Sequence, residues 1–195
     1  MAKRAPKRAL KQTQSIKPSK ERPSATKLIA IATSDLHDPR FSSQFLEALA
    51  TELSLFKRPK LMLLAGDVVD SGDPSHLGDF LDQLGSVYSG PILACKGNDE
   101  YEDSMDSIMS ASSGRIHWLL DEIVSLELDG ENVNVLGTKG VLQRPTFWQR
   151  RYVKDVWRKR ADEIKRIRDL LGQLSQRPGR RIVISHYSPT SATMI

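Results

Sequence analysis

At 195 residues with 39% hydrophobic content, the chain has enough apolar side chains for one α/β domain with a core and too few residues for two. The formal charge of +5 belongs to the start of the chain, where residues 1–27 carry nine Lys or Arg against one acid while the remainder carries 20 against 23. No run approaches the roughly 18 consecutive apolar residues of a membrane span, and no apolar core follows Met1 as in a secretory signal, which predicts a soluble, cytoplasmic protein without membrane contact; the single Cys95 excludes an internal disulfide framework and a Cys-based zinc site.

Taken in chain order, residues 1–26 form a basic tail of Lys, Arg, Pro, Ser and Gln with too little apolar surface to offset the entropy of ordering, so it reads as disordered. Its charge suits nucleic acid, a nucleotide or another polyanion through counterion release, with a solvated tail lacking a ligand as the alternative. Residues 27–195 read as the domain. Leu28 to Thr33 is an apolar run of strand length. Behind Ser42 or Ser43 as cap, Phe45, Leu46, Leu49, Leu53 and Phe56 recur at spacings of three and four, which predicts a helix. Leu61 to Leu64 predicts a second buried strand, Leu77 to Leu84 a short helix, and Ile92 to Cys95 a third strand in which Cys95 is a buried thiol.

Ile123 to Leu128 and Val133 to Leu136 flank Asp129-Gly130, the pattern of a hairpin. Thr146 to Gln149 fits a capping box for one long helix whose apolar face runs from Val153 through Val156, Trp157 and Leu171 to Leu174. Its opposite face, rich in Arg and Lys, reads as solvated, with polyanion binding as the alternative. Arg181 to Ile184 predicts a last strand. Strands alternating with helices make the fold class α/β.

Four polar clusters each follow an apolar strand: Ser34-Asp35-Leu36-His37, Gly66-Asp67, Gly97-Asn98 and Ser185-His186. Ligands of open α/β sheets bind beyond the carboxyl ends of the strands, so four strand ends aim side chains at one crevice. The pairing of a carboxylate with an imidazole, Asp35 with His37, suits Mn, Fe or Zn better than Ca or Mg. Asp67 can offer one oxygen to each of two cations, and Gly66 removes bulk beside it. Asn98 supplies an amide oxygen and His186 a neutral imidazole for the second cation. Singly, each cluster is a common turn or polar strand end; their joint order gives them weight.

The order Asp35-x-His37, Gly66-Asp67-Val68-Val69-Asp70-Ser71-Gly72, Gly97-Asn98-Asp99-Glu100 and His186 resembles the calcineurin-like metallophosphoesterases, whose pattern Gly-Asp-x-x-Asp-x-Gly is matched in full. The resemblance spans about Leu28 to His186. It implies a metallophosphoesterase-type sandwich of two sheets flanked by helices, a phosphate-ester substrate and two divalent metal ions. Asp35 and His37 would bind one metal, Asn98 and His186 the other, and Asp67 both. It further implies a hydrolase, phosphatase or phosphodiesterase, in which metal-activated water attacks phosphorus and Asn98, Asp99 and His186 are the catalytic groups. Asp99 stands where the family usually carries a His that protonates the leaving group. The family's closing Gly-His-x-His element has no counterpart, since the histidines are His37, His76, His117 and His186, and His76 and His117 read as structural or surface residues. This predicts a domain truncated at its C-terminus. The alternative is a non-catalytic or degenerate member that binds a polyanion through its basic tail.

Overall fold

In a strand, successive side chains face opposite ways, and the run from Leu61 to Ala65 uses both faces. Met62 and Leu64 join one buried cluster with Phe80, Leu84 and Ile108, while Leu61 and Leu63 join another with Leu93, Leu119, Val133 and Ile184. A strand buried on both sides must lie inside a layered molecule. The computed structural model describes residues 29–55 and 59–188; the tail expected over residues 1–26, with Leu28 and Phe56, lies outside them.

The elements run β1 (Ala30–Thr33), α1 (Ser42–Leu55), β2 (Leu61–Ala65), α2 (Leu77–Val87), β3 (Ile92–Cys95), α3 (Met105–Ser112) and β4 (His117–Leu119). These strands form a four-stranded parallel sheet in the order β1-β2-β3-β4. There follow β5 (Glu122–Leu128), β6 (Glu131–Thr138), α4 (Phe147–Tyr152), α5 (Val156–Gln176) and β7 (Arg180–Ser185). They build a three-stranded sheet, β5-β6-β7, in which the hairpin β5-β6 is antiparallel and β6-β7 parallel. The first cluster lies between the parallel sheet and α1 to α3, the second between the two sheets, and α5 rests against β5 and β6. The fold is therefore the α/β sandwich of two sheets flanked by helices.

The structure corrects the reading in two places. The single long helix is two, because Asp155 adopts a left-handed backbone (φ 55) and Val153 an extended one. Within α5 the half-buried stripe is Val156, Arg160, Ile164, Ile167 and Leu170, so Trp157 and Leu171 fall beside it at 57% and 41% exposed, and Leu174 alone is buried. The capping box at Thr146 and Gln149 is present on the short α4. The second correction is α3 and β4: a helix of eight residues and a strand of three leave too short a pattern to read. His117 is exposed on β4, and His76 is exposed at the start of α2.

Cys95 lies between the sheets with no exposure. Burial, and then the neighbouring Glu100 carboxylate, push its thiol up to about 12. The native chain is expected not to react with Ellman's reagent at pH 8 and to release one equivalent of colour after unfolding in guanidinium. Reaction of the native protein would show that the layer between the sheets opens.

Candidate metal centre

In the parallel sheet Thr33 pairs with Leu64 and Ala65 with Cys95, so β1, β2 and β3 end on one side of the molecule. Asp35, Asp67 and Asn98 lie two or three residues beyond those ends. His186, just past β7, reaches the same place from the other sheet, its Nδ1 donating to the Ala65 carbonyl at 3.0 Å. The five predicted ligands thus come together.

The turns that carry them are strained. Asp35, His37 and Asp67 have φ of 57°, 41° and 50°, conformations that cost side-chain-bearing residues on the order of 1–3 kcal/mol each and gather at functional sites. Backbone bonds from Asp35 N to Gly66 O (3.1 Å) and His37 N to Asp67 O (2.9 Å) hold the first turn against the second. The peptide bond of Asp38-Pro39 is cis.

Gly66 and Gly97 let these loops approach. A Cβ on Gly66, itself at φ 84°, would meet Gly97 Cα at 2.7 Å, and one on Gly97 would meet Asp67 Oδ1 at 2.1 Å and Asp67 N at 2.3 Å. Gly97→Ala is expected to cost about 1–3 kcal/mol through overpacking, seen as a fall of roughly 2–12 °C in melting temperature. An unchanged melting temperature would mean that the two loops separate freely.

The disposition of lone pairs tests whether a cation fits. A carbonyl only accepts, so His186 Nδ1 carries the proton and, in the neutral ring, Nε2 presents a lone pair. That nitrogen lies 2.9 Å from Asn98 Oδ1 and 3.5 Å from Asp67 Oδ2. Asn98 has its amide nitrogen on Asp99 Oδ1 at 2.8 Å, which leaves its oxygen facing the imidazole. Three acceptors therefore converge with no donor among them, an arrangement suited to a cation. On the other side Asp35 Oδ1 and Asp67 Oδ2 lie 3.9 and 3.8 Å from His37 Nε2. Asp35, His37 and Asp67 form one group able to hold a metal ion, and His37, Asp70 and Asp99 form another.

Two contributors, Glu100 and Tyr187, escaped the sequence reading. Glu100 is fully buried. Its Oε1 accepts from Val68 N (2.6 Å) and Val69 N (3.2 Å), and its Oε2 from Asp67 N (3.0 Å) and Gly97 N (2.6 Å). Burial raises its carboxyl above the usual range, and the amide donors oppose that rise. One side chain thereby fastens the Asp67 loop to the Asn98 loop; its place two residues after Asn98 was the available signal. Tyr187 packs beside His186 with ring centroids 5.2 Å apart and the planes tilted by 50°, its phenol raised by burial and then by Asp67. Asp70 Oδ1 lies 3.3 Å from His37 Nδ1. A cavity of about 880 Å³, lined by residues including Lys60, Tyr88, Pro91 and Asp129, sits at the opposite strand ends and holds none of these groups.

Residues 30–192 match the family model described as calcineurin-like phosphoesterase. The chain belongs to that family. As a calcineurin-like phosphoesterase it falls among the metal-binding hydrolases, and its Asp and His groups are of the kind that hold metal. Two of the solved structures similar to it illustrate the likeness. One is the protein of unknown function AQ665 from Aquifex aeolicus, at 13% identity and a TM-score of 0.43, over 80% of this chain and 89% of that one. The other is a 5'-nucleotidase precursor from Thermus thermophilus, at 16% identity and a TM-score of 0.41, over 80% of this chain and 36% of that one. No curated protein matches this phosphoesterase. Among its described residues, no helix is long and apolar enough to cross a membrane.

Proposed function

We propose that the chain is a metal-dependent phosphohydrolase that cleaves phosphomonoesters or phosphodiesters at a centre for two Mn, Fe or Zn ions. The observation that carries this reading is the convergence of Asp67 Oδ2, Asn98 Oδ1 and His186 Nε2, with Asp35 and His37 beyond the same carboxylate. Asp35 and His37 would hold one ion, Asn98 and His186 the other, and Asp67 both. When bound, such a pair polarises the phosphoryl oxygens and supplies hydroxide near neutral pH.

The protein's own part is placement. Asp67 is 2% exposed and fixed from both sides, with its Oδ1 accepting from Asp99 N at 2.8 Å. Asn98, exposed at the mouth, is positioned to touch a phosphate oxygen, and the Ala65 carbonyl keeps the proton of His186 on Nδ1. A monoester, a diester, a nucleotide or a nucleic-acid strand all present the same phosphoryl group, and the basic segment 1–26 favours a polyanionic substrate.

A second reading, a non-catalytic member that binds a polyanion, has one observation in its favour: Asp99 in place of the family's proton-donating His. Metal analysis and turnover separate the two. The first reading expects close to two transition-metal ions per chain and hydrolysis of bis-p-nitrophenyl phosphate. Absence of both metal and turnover would overturn it.

A further inference from the structure

We infer that Asp99 is a positioning residue that orients His37 and Asn98 toward the metals, instead of a proton donor to the leaving group. The inference rests on the metal-centre reading and deepens it. Asp99 engages three proposed ligands. Its Oδ1 accepts from Asn98 Nδ2 at 2.8 Å, its Oδ2 lies 3.2 Å from His37 Nδ1, and its backbone N donates to Asp67 Oδ1 at 2.8 Å. Ser71 N also donates to Oδ2, at 3.2 Å.

Each contact determines what the ligand shows the cation. His37 Nδ1 is enclosed by protein without an aligned hydrogen bond, and its near neighbours Asp99 Oδ2 and Asp70 Oδ1 are both acceptors. Two carboxylates on one side draw the ring proton to Nδ1 and leave the lone pair on Nε2, facing Asp35 and Asp67. An amide can turn by 180°, and Asp99 Oδ1 selects the turn that exposes Asn98 Oδ1 to His186 Nε2. One carboxylate does both because it has two oxygens; a neutral imidazole at position 99 would have a single acceptor. Oδ1 is engaged by Asn98 and Oδ2 by Ser71 N beside His37, so the carboxylate is held toward the proposed ligands.

The test is Co²⁺ binding to the full chain stripped of metal, followed by calorimetry and by the visible absorption of the bound ion, with Asp99→Asn and Asp99→Ala. The single oxygen of Asn serves one partner, and Ala serves neither. Co²⁺ affinity is expected to fall about 10-fold in the first and about 100-fold in the second, with a changed absorption band. Melting temperature in EDTA is expected to stay that of the parent, and the isosteric Asn variant keeps the test valid if the Ala variant folds poorly. Equal affinity and an unchanged band in both variants would overturn the positioning role while leaving the metal centre standing. A parent chain that takes up no Co²⁺ would overturn the metal centre, and this inference with it.

Discussion

Glu100→Gln is expected to lower the free energy of unfolding by about 2–6 kcal/mol, the cost of leaving two buried amide donors without an acceptor. The carboxylate accepts four backbone N–H groups, two on each oxygen. An amide has one acceptor, so whichever way Gln turns, its NH₂ faces two donors. If the remaining oxygen faces Val68 and Val69, Asp67 N and Gly97 N lose their acceptor; if it faces the other way, Val68 N and Val69 N do. Each buried amide left without a partner costs about 1–3 kcal/mol. Glu100 and Asp67 are both buried, so bulk solvent does not reach the bond to replace it. The check is the guanidinium midpoint at constant m-value. A shift worth less than about 1 kcal/mol would mean that the clamp relaxes without loss.

Asp67→Asn is expected to spare the fold and remove the chemistry. The Asn oxygen can keep the bond from Asp99 N now made to Oδ1. What changes is the second oxygen, which lies 3.8 Å from His37 Nε2 and 3.5 Å from His186 Nε2, between the two proposed metal positions. An NH₂ there has no lone pair for either ion. Loss of an outer partner of a ligand costs about 10–100-fold in metal affinity or activity, and a shared ligand should cost more. The measurement is Mn²⁺-supported hydrolysis of bis-p-nitrophenyl phosphate beside a thermal melt. Retained turnover at an unchanged melting temperature would remove Asp67 from the bridging position.

The strands of this fold were legible because they are short, apolar and bounded by Gly, Pro or polar residues, whereas their division into two sheets came from the family resemblance. Leu61 to Leu64 and Ile92 to Cys95 stand within a residue of their observed ends, and the hairpin around Asp129-Gly130 is present. The proximity of Asp35, His37, Asp67, Asn98 and His186 followed from one rule about strand ends. What escaped depends on contacts distant in the chain. Nothing near Glu100 in sequence reveals that its partners are the amides of residues 67 to 69. The left-handed Asp155 that divides α4 from α5 lies inside an unbroken helical pattern, and only the backbone records it. Asp99 is the instructive case: its residue type marked a departure from the family, whereas its use, one carboxylate serving His37 and Asn98, required distances.

The reach of His186 across to the Ala65 carbonyl has a mechanical meaning. Asp67 and Asn98 belong to one sheet and His186 to the other, so an ion held by these three would rivet two halves that also meet in the apolar layer around Leu63, Cys95 and Ile184. By thermodynamic linkage, an ion present at a hundred times its dissociation constant adds about 2.7 kcal/mol to the joined form. The two sheets then rise and fall in stability together, and the occupancy of the crevice becomes a property of the entire sandwich.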